Sequence, residues 1–184
     1  MPAELSLRGE RIWLRPIEIG DAVELARASH AEEETAFTGA RIPSSVMSFQ
    51  RWIENLEERA HVFAICRTGE DACIGIISVR KIDIDNGTAE TGMGLFRACD
   101  RGQGLGSEAK RLLLDYAFDV LGLHAVSCTI SSVNTRSARA VERQGYRYAG
   151  KLRNAEMTTG GRVCDQLVYD MTREEWLARR EESR

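Results

Sequence analysis

Three glycines at alternate positions, Gly102, Gly104 and Gly106, separate two segments of different periodicity. Thr88 to Phe96 before them reads as a strand. After them Ala109, Leu112, Leu113, Tyr116, Ala117 and Val120 recur at helical spacing, which predicts an amphipathic helix over 107–121. The chain must therefore pass from strand to helix through Arg101-Gly102-Gln103-Gly104-Leu105-Gly106, and glycine reaches the backbone angles that so tight a turn needs. Successive N–H groups can then point into one concavity. The partial positive charge of the helix N-terminus adds to them, so the turn suits an anion such as phosphate. Two familiar phosphate loops do not fit. Ser107-Glu108 follows Gly106, so the lysine and hydroxyl of a Walker loop are missing, and the alternating glycines lack the two-residue step of the dinucleotide fingerprint. Taken alone, the turn could also cap a helix and hold no ligand.

Other segments frame this turn. Ile12 to Arg15 is a short strand closed by Pro16, and a helix runs from Asp21 to about Ala28. Ser29 to Met47 shows no clean period, whereas Phe49, Trp52, Ile53 and Leu56 share one helix face. Val62–Arg67, Cys73–Asp83 and Thr88–Phe96 form a meander whose last turn, Asp85-Asn86-Gly87, is a strong hairpin signal. Gly92 and Gly94 weaken the last of these strands and mark a bulge or the close approach of another backbone. Beyond the Gly-rich turn and its helix come a strand at His124–Ile130, a helix from Asn134 ending before Gly145, a strand from Gly145-Tyr146, and a strand at Val163–Met171. The order predicts one mixed α/β domain over 1–184.

Composition excludes several classes. At 184 residues with 43% hydrophobic and 29% charged residues, the chain can bury a stable core without disulfides or metals. The net charge of −3 leaves no basic excess to hold nucleic acid. Five cysteines in no CxxC pair predict reduced, buried thiols. His30, His61 and His124 lie far apart, and no metal is expected. The N-terminal stretch lacks an apolar signal region and no segment is long enough to span a bilayer, so the expected location is cytoplasmic.

These segments, in this order, resemble the GNAT superfamily of N-acetyltransferases. Its Arg/Gln-x-x-Gly-x-Gly/Ala motif is filled by Arg101, Gly104 and Gly106. The stretches GQGLGSEAKRLLLDYAF, NTRSARAVERQGY, AGKLRNAE and LVYDMTREEW, with the opening LRGERIWLRPIEIGDAVEL, resemble the RimJ/RimL branch. The likeness runs from about Leu7 to Trp176. It implies an acetyl-CoA-dependent transferase with a mostly antiparallel sheet, splayed between its fourth and fifth strands and flanked by about four helices. Backbone from Gly102 through Gln103, Leu105 and Ser107 would bind the CoA pyrophosphate. Backbone around Gly94, Leu95 and Phe96 would pair with the pantetheine amides and polarise the thioester carbonyl. Asn134 would bind the cofactor near its thiol end.

The resemblance also implies catalytic roles. Many superfamily members carry a tyrosine acid where this chain has Val141, and the RimL-like serine matches Ser137, which would assist thiolate departure. Ser137 could instead simply bond backbone in the first helical turn. Glu156 matches the general base, which would take a proton from the attacking amine, or it is a solvated or merely substrate-binding acid. Asp165 is the reserve acid. Trp52 is a candidate for the acceptor pocket, although residues at its helical spacing with Phe49 more often belong to the core. The basic run Arg136, Arg139, Arg143, Arg147, Lys151 and Arg153 could draw in a phosphate or an acidic partner, or form a solvated face. The branch points to the N-terminal α-amine of a ribosomal-type protein as acceptor. A polyamine, an aminoglycoside or another toxic amine is the alternative, and a non-catalytic acyl-CoA sensor is the second. A monomer or homodimer is expected.

Overall fold

Apolar alternation and a few tight turns build one sheet, with helices on both of its faces. The computed structural model describes residues 5–29, 45–56, 59–158 and 160–182, so most of the stretch from Ser29 to Met47 lies outside the described residues. The strands are β1 (Leu7–Arg8), β2 (Ile12–Pro16), β3 (His61–Arg67), β4 (Cys73–Asp83), β5 (Thr88–Leu95), β6 (Ala125–Ser131), β7 (Arg147–Met157) and β8 (Val163–Thr172). Their order across the sheet is β1-β2-β3-β4-β5-β6-β8-β7. All neighbours are antiparallel except β5 and β6, which run parallel. The mixed, mostly antiparallel sheet therefore follows the expectation, with β1 added at its edge.

The described helices are α1 (Ala22–Ser29), α2 (Val46–Glu54), α3 (Leu105–Asp115), α4 (Thr135–Arg143) and α5 (Arg173–Glu182). A π-helical segment, Tyr116–Val120, prolongs α3. The expectation was about four helices. The fifth is C-terminal, and among its ten residues only Trp176 is buried, so it has no apolar stripe to read. Two boundaries also move. α1 begins after Asp21, whose carboxylate accepts the Glu18 N–H at 2.9 Å and pairs with Arg15 at 2.8 Å. α3 begins at Leu105 rather than Ser107, because Gly104 at φ +82° already serves as its N-cap. The hairpin forms as expected, with Gly87 at φ +60° and the Asn86 N–H bonded to the Asp83 carboxylate at 3.0 Å.

The larger core lies on the α3 face, where Phe63, Ile65, Ile77 and Val79 pack with Leu105, Ala109 and Leu113. Each of the Phe, Ile, Val and Leu side chains contributes about 1.5–3 kcal/mol on burial. The opposite face carries a smaller cluster of Ala64, Cys66 and Cys73, with Trp13, Ile76 and Phe96 packed against it. All five cysteines are free, and Cys99 alone is exposed. Among the described residues no helix is long and apolar enough to cross a membrane.

Candidate functional site

The glycine turn is an open helix N-terminus held from outside. Gly102 and Gly104 take φ of +72° and +82°. No side chain caps α3, and its first internal bond runs from the Glu108 N–H to the Gly104 carbonyl at 3.0 Å. The N–H groups of Leu105, Gly106 and Ser107 therefore have no acceptor within the helix. Arg11, from the turn between β1 and β2, fixes the loop: its guanidinium donates to the Gln103 carbonyl at 2.8 Å and to Glu108 Oε2 at 3.1 Å. Glu108 Oε1 accepts the Arg11 N–H at 2.9 Å. Burial alone would raise the Glu108 carboxyl, but the hydrogen bonds from Arg11 hold it below the ordinary range. Arg101 turns back and donates to the Leu95 carbonyl at 3.1 Å and the Phe96 carbonyl at 3.3 Å. The motif arginine thus ties the loop to the end of β5. Gly106 lets α3 approach β5, since a Cβ there would lie 3.1 Å from Met93 Cε.

A gap opens beside this turn. β5 and β6 pair at Thr88–Ala125, Ala89–Val126 and Glu90–Ser127, and then part. The expected splay between these two strands is present. Backbone direction alternates along a strand, which decides what lines the gap. The Phe96 N–H donates to the Ile74 carbonyl on β4 at 2.9 Å. With the regular register that pairs Ile76 with Gly94, Gly94 and Phe96 therefore direct their amides to β4. Leu95 and Met93 direct theirs into the gap. Of the expected trio only Leu95 borders it with its backbone, and Met93 is a lining residue that sequence reasoning missed. On the far side the Ser131 carbonyl accepts the Asn134 N–H at 2.8 Å. Asn134 caps α4, accepting the Ser137 N–H on Oδ1 at 3.1 Å. The Asn134 amide nitrogen keeps no protein partner among the described residues. Ser137 is half-buried in the first turn, and Val141 one turn on is buried in the core.

Gly94 also faces open space on the side of the sheet away from α3. A Cβ at Gly94 would meet no atom within 4 Å. Its register partner Ile76 lines a cavity of about 350 Å³ with Leu25 of α1 and Ser48, Phe49 and Trp52 of α2. Trp52 keeps 40% of its surface exposed and belongs to neither core cluster. Among the described residues, no charged side chain lines the cavity.

Glu156 lies across the sheet from the gap. It is opposite Cys164 in the β7–β8 register, and Cys164 Sγ is 3.4 Å from Ser131 Oγ at the open end of β6. Its Oε2 is buried and has no hydrogen-bond partner among the described residues. Asp165, the reserve acid, is already committed: it binds Lys151 Nζ at 2.8 Å and the Asn154 N–H at 3.0 Å. The Lys151 bond holds its carboxyl below the usual range. In the basic run, Lys151 pairs with Asp165 and Arg147 with Glu175 at 2.7 Å, so the run is partly neutralised. Among the described residues no three His, Cys, Asp or Glu side chains cluster as metal ligands would.

Residues 11–147 match the family described as the Acetyltransferase (GNAT) domain. An uncharacterized N-acetyltransferase, p20 of Bacillus licheniformis, is 30% identical over 176 residues, covering 93% of this chain and 98% of its own. Two solved structures are each 18% identical. A spermidine N-acetyltransferase from Vibrio cholerae, in complex with CoA and spermine, covers 92% of this chain and 99% of its own with a TM-score of 0.82. A ribosomal-protein-S5-alanine acetyltransferase from Vibrio fischeri covers 94% and 99% with a TM-score of 0.79. At that identity both speak for the fold alone.

Proposed function

The chain belongs to the GNAT acetyltransferase family, and from that premise we propose that its acceptor is the N-terminal α-amine of a protein or peptide, as in the ribosomal-protein-modifying RimJ/RimL branch. It is an acetyltransferase that draws its acetyl group from acetyl-CoA. The observation that carries the acceptor reading is the cavity over Ile76, beside Gly94, whose lining among the described residues is uncharged. A polyamine or an aminoglycoside is a polycation, and its recognition calls for several carboxylates. Leu25, Phe49, Trp52 and Ile76 offer only apolar surface, with the Ser48 hydroxyl among them. A single amine next to one modest side chain, as at a peptide N-terminus, matches that surface.

In this reading the N–H groups of Leu105, Gly106 and Ser107 hold the pyrophosphate at the mouth of the gap. The gap-facing amides of Met93 and Leu95 receive the thioester arm, and one N–H donates to the carbonyl oxygen as negative charge develops on it. Asn134 contributes its amide nitrogen from the other wall. Glu156, with a buried carboxylate oxygen that has no partner among the described residues, takes the proton of the attacking amine. Ser137 hydrogen-bonds the departing sulfur. Four buried free thiols suit a reducing compartment, and we place the enzyme in the cytoplasm.

Product mass spectrometry with acetyl-CoA and a mixed panel of acceptors tests this. The panel holds peptides with N-terminal Ser, Ala and Thr, spermidine, an aminoglycoside and free amino acids. A gain of one acetyl group on peptide α-amines alone is the expected result. Acetylation confined to a small amine would refute the acceptor assignment. Calorimetry showing bound CoA, with no product from any acceptor, would point instead to a sensor.

A further inference from the structure

Among the described residues, Lys110 is the one cation buried without a carboxylate beside it. The other buried charges are paired: Asp21 with Arg15, Asp100 with Arg67 and Glu108 with Arg11. Lys110 is 2% exposed, and its Nζ donates to Thr91 Oγ1 at 3.3 Å. The ammonium also lies 5.5 Å from the centre of the Tyr146 ring. The Thr91 hydroxyl donates to the Ser127 carbonyl at 3.2 Å, which leaves the Tyr146 hydroxyl, 2.8 Å away, to donate to Thr91. Thr91 of β5 and the Tyr146 ring ahead of β7 contact the ammonium, and Cys128 of β6 lies near it. None of them carries a negative charge at neutral pH. Burial pushes the Cys128 thiol up to about 11 and the Tyr146 hydroxyl higher still.

An uncompensated buried charge is costly, and strongly perturbed ionisable groups of this kind cluster at functional sites. The location of this one is specific. Glu90 and Ser127 form the last rung between β5 and β6, and Thr91 follows immediately. The ammonium therefore stands under the vertex of the gap. The phosphate-binding turn is at the gap's other end, beyond Leu95, about 13 Å of strand away. A thioester arm that starts at the turn and enters the gap ends toward the vertex.

We propose that Lys110 is an electrostatic positioning residue for acetyl transfer, its buried ammonium tied to the vertex of the gap through Thr91 and stabilising the negative charge on the CoA sulfur as it leaves. The proposal rests on the acetyl-transfer reading above. In the step it serves, the amine nitrogen forms the new C–N bond and the C–S bond breaks with its electron pair going to sulfur. The amine proton passes to Glu156. Lys110 transfers nothing and supplies the field in which the thiolate forms. Val141, one turn after Ser137, is buried in the core and offers no acid to the leaving sulfur.

The test is the acidity of the CoA thiol in the complex, read from thiolate absorbance against the same enzyme bound to desulfo-CoA, so that the protein's own thiols and phenols cancel. In the wild type the bound thiol titrates below free CoA. In Lys110→Met, which removes the charge and keeps the bulk, it rises by about one unit and kcat falls about tenfold. Affinity for CoA stays within about twofold, and Tm is equal or higher because a buried unpaired charge has gone. Burial lowers the Lys110 ammonium to about 8, so the kcat ratio of wild type to variant falls as pH rises past that value. Lys110→Gln is the second uncharged variant should Met disturb folding. A wild-type complex whose thiol is no more acidic than free CoA overturns the proposal. So does a folded uncharged variant with unchanged thiol acidity. A wild type that binds no CoA would overturn the acetyl-transfer reading first.

Discussion

Gly94→Val should separate catalysis from folding. A Cβ at Gly94 meets nothing within 4 Å, whereas one at Gly75, across the same pair of strands, would lie 2.5 Å from the Gly94 carbonyl oxygen. Gly94 does not occupy the left-handed region, so a branched side chain fits its backbone and gains up to about 1 kcal/mol of strand preference. The two methyls would project on the face that holds the Ile76 cavity, away from α3. They would narrow the approach of the amine without touching the phosphate turn. A displacement of about 1 Å at a reacting centre costs about 100-fold, so kcat/KM for the amine should fall by that order while the Kd for CoA holds within about twofold. Gly94→Ala should give a smaller loss. The assay pairs calorimetry with CoA, thermal melting, and product mass against the best acceptor. Gly75→Ala provides the contrast, losing several degrees of Tm because backbone must shift. Full kcat/KM in a folded Gly94→Val enzyme would refute the claim that the acceptor crosses this face.

Four further outcomes follow from the same geometry. Glu156→Gln should lower kcat by roughly 100-fold or more with CoA affinity intact, measured by product mass and calorimetry. Ser137→Ala should lower kcat while preserving stability, since its backbone N–H still meets Asn134; Asn134→Ala should lose that cap, at about 1 kcal/mol by thermal melting, together with CoA affinity. Glu108 has a folded-state carboxyl value below its ordinary 4.5, so its contribution is complete above that pH and is lost as pH falls through the folded value. Wild-type Tm should therefore drop more steeply than that of Glu108→Gln on acidification below about pH 4.5.

What the sequence revealed and what it hid divide along a physical line. The Gly-rich turn, the helix after it and the hairpin at Asn86-Gly87 were readable because each rests on a local requirement, a positive φ or an apolar period, whereas the splay of β5 from β6 came from the family resemblance and not from any local pattern. The brace on the turn was not, because Arg11 and Glu108 are 97 residues apart and neither stands in a recognisable pattern. Helix α5 was missed because Trp176 is its one buried residue and a single contact has no period. The split of Leu95 from Gly94 and Phe96 needed the strand register, which pairing with β4 decides. Lys110 is the instructive case. It lies three, four and seven positions before Leu113, Leu114 and Ala117, all buried, so the helical period itself places it on the core-facing stripe. Read as a break in the apolar pattern, it looks like noise. Read as a charge that the fold buries at the root of an open gap and leaves without a counter-ion, it is a reason to look for the anion that the reaction brings there.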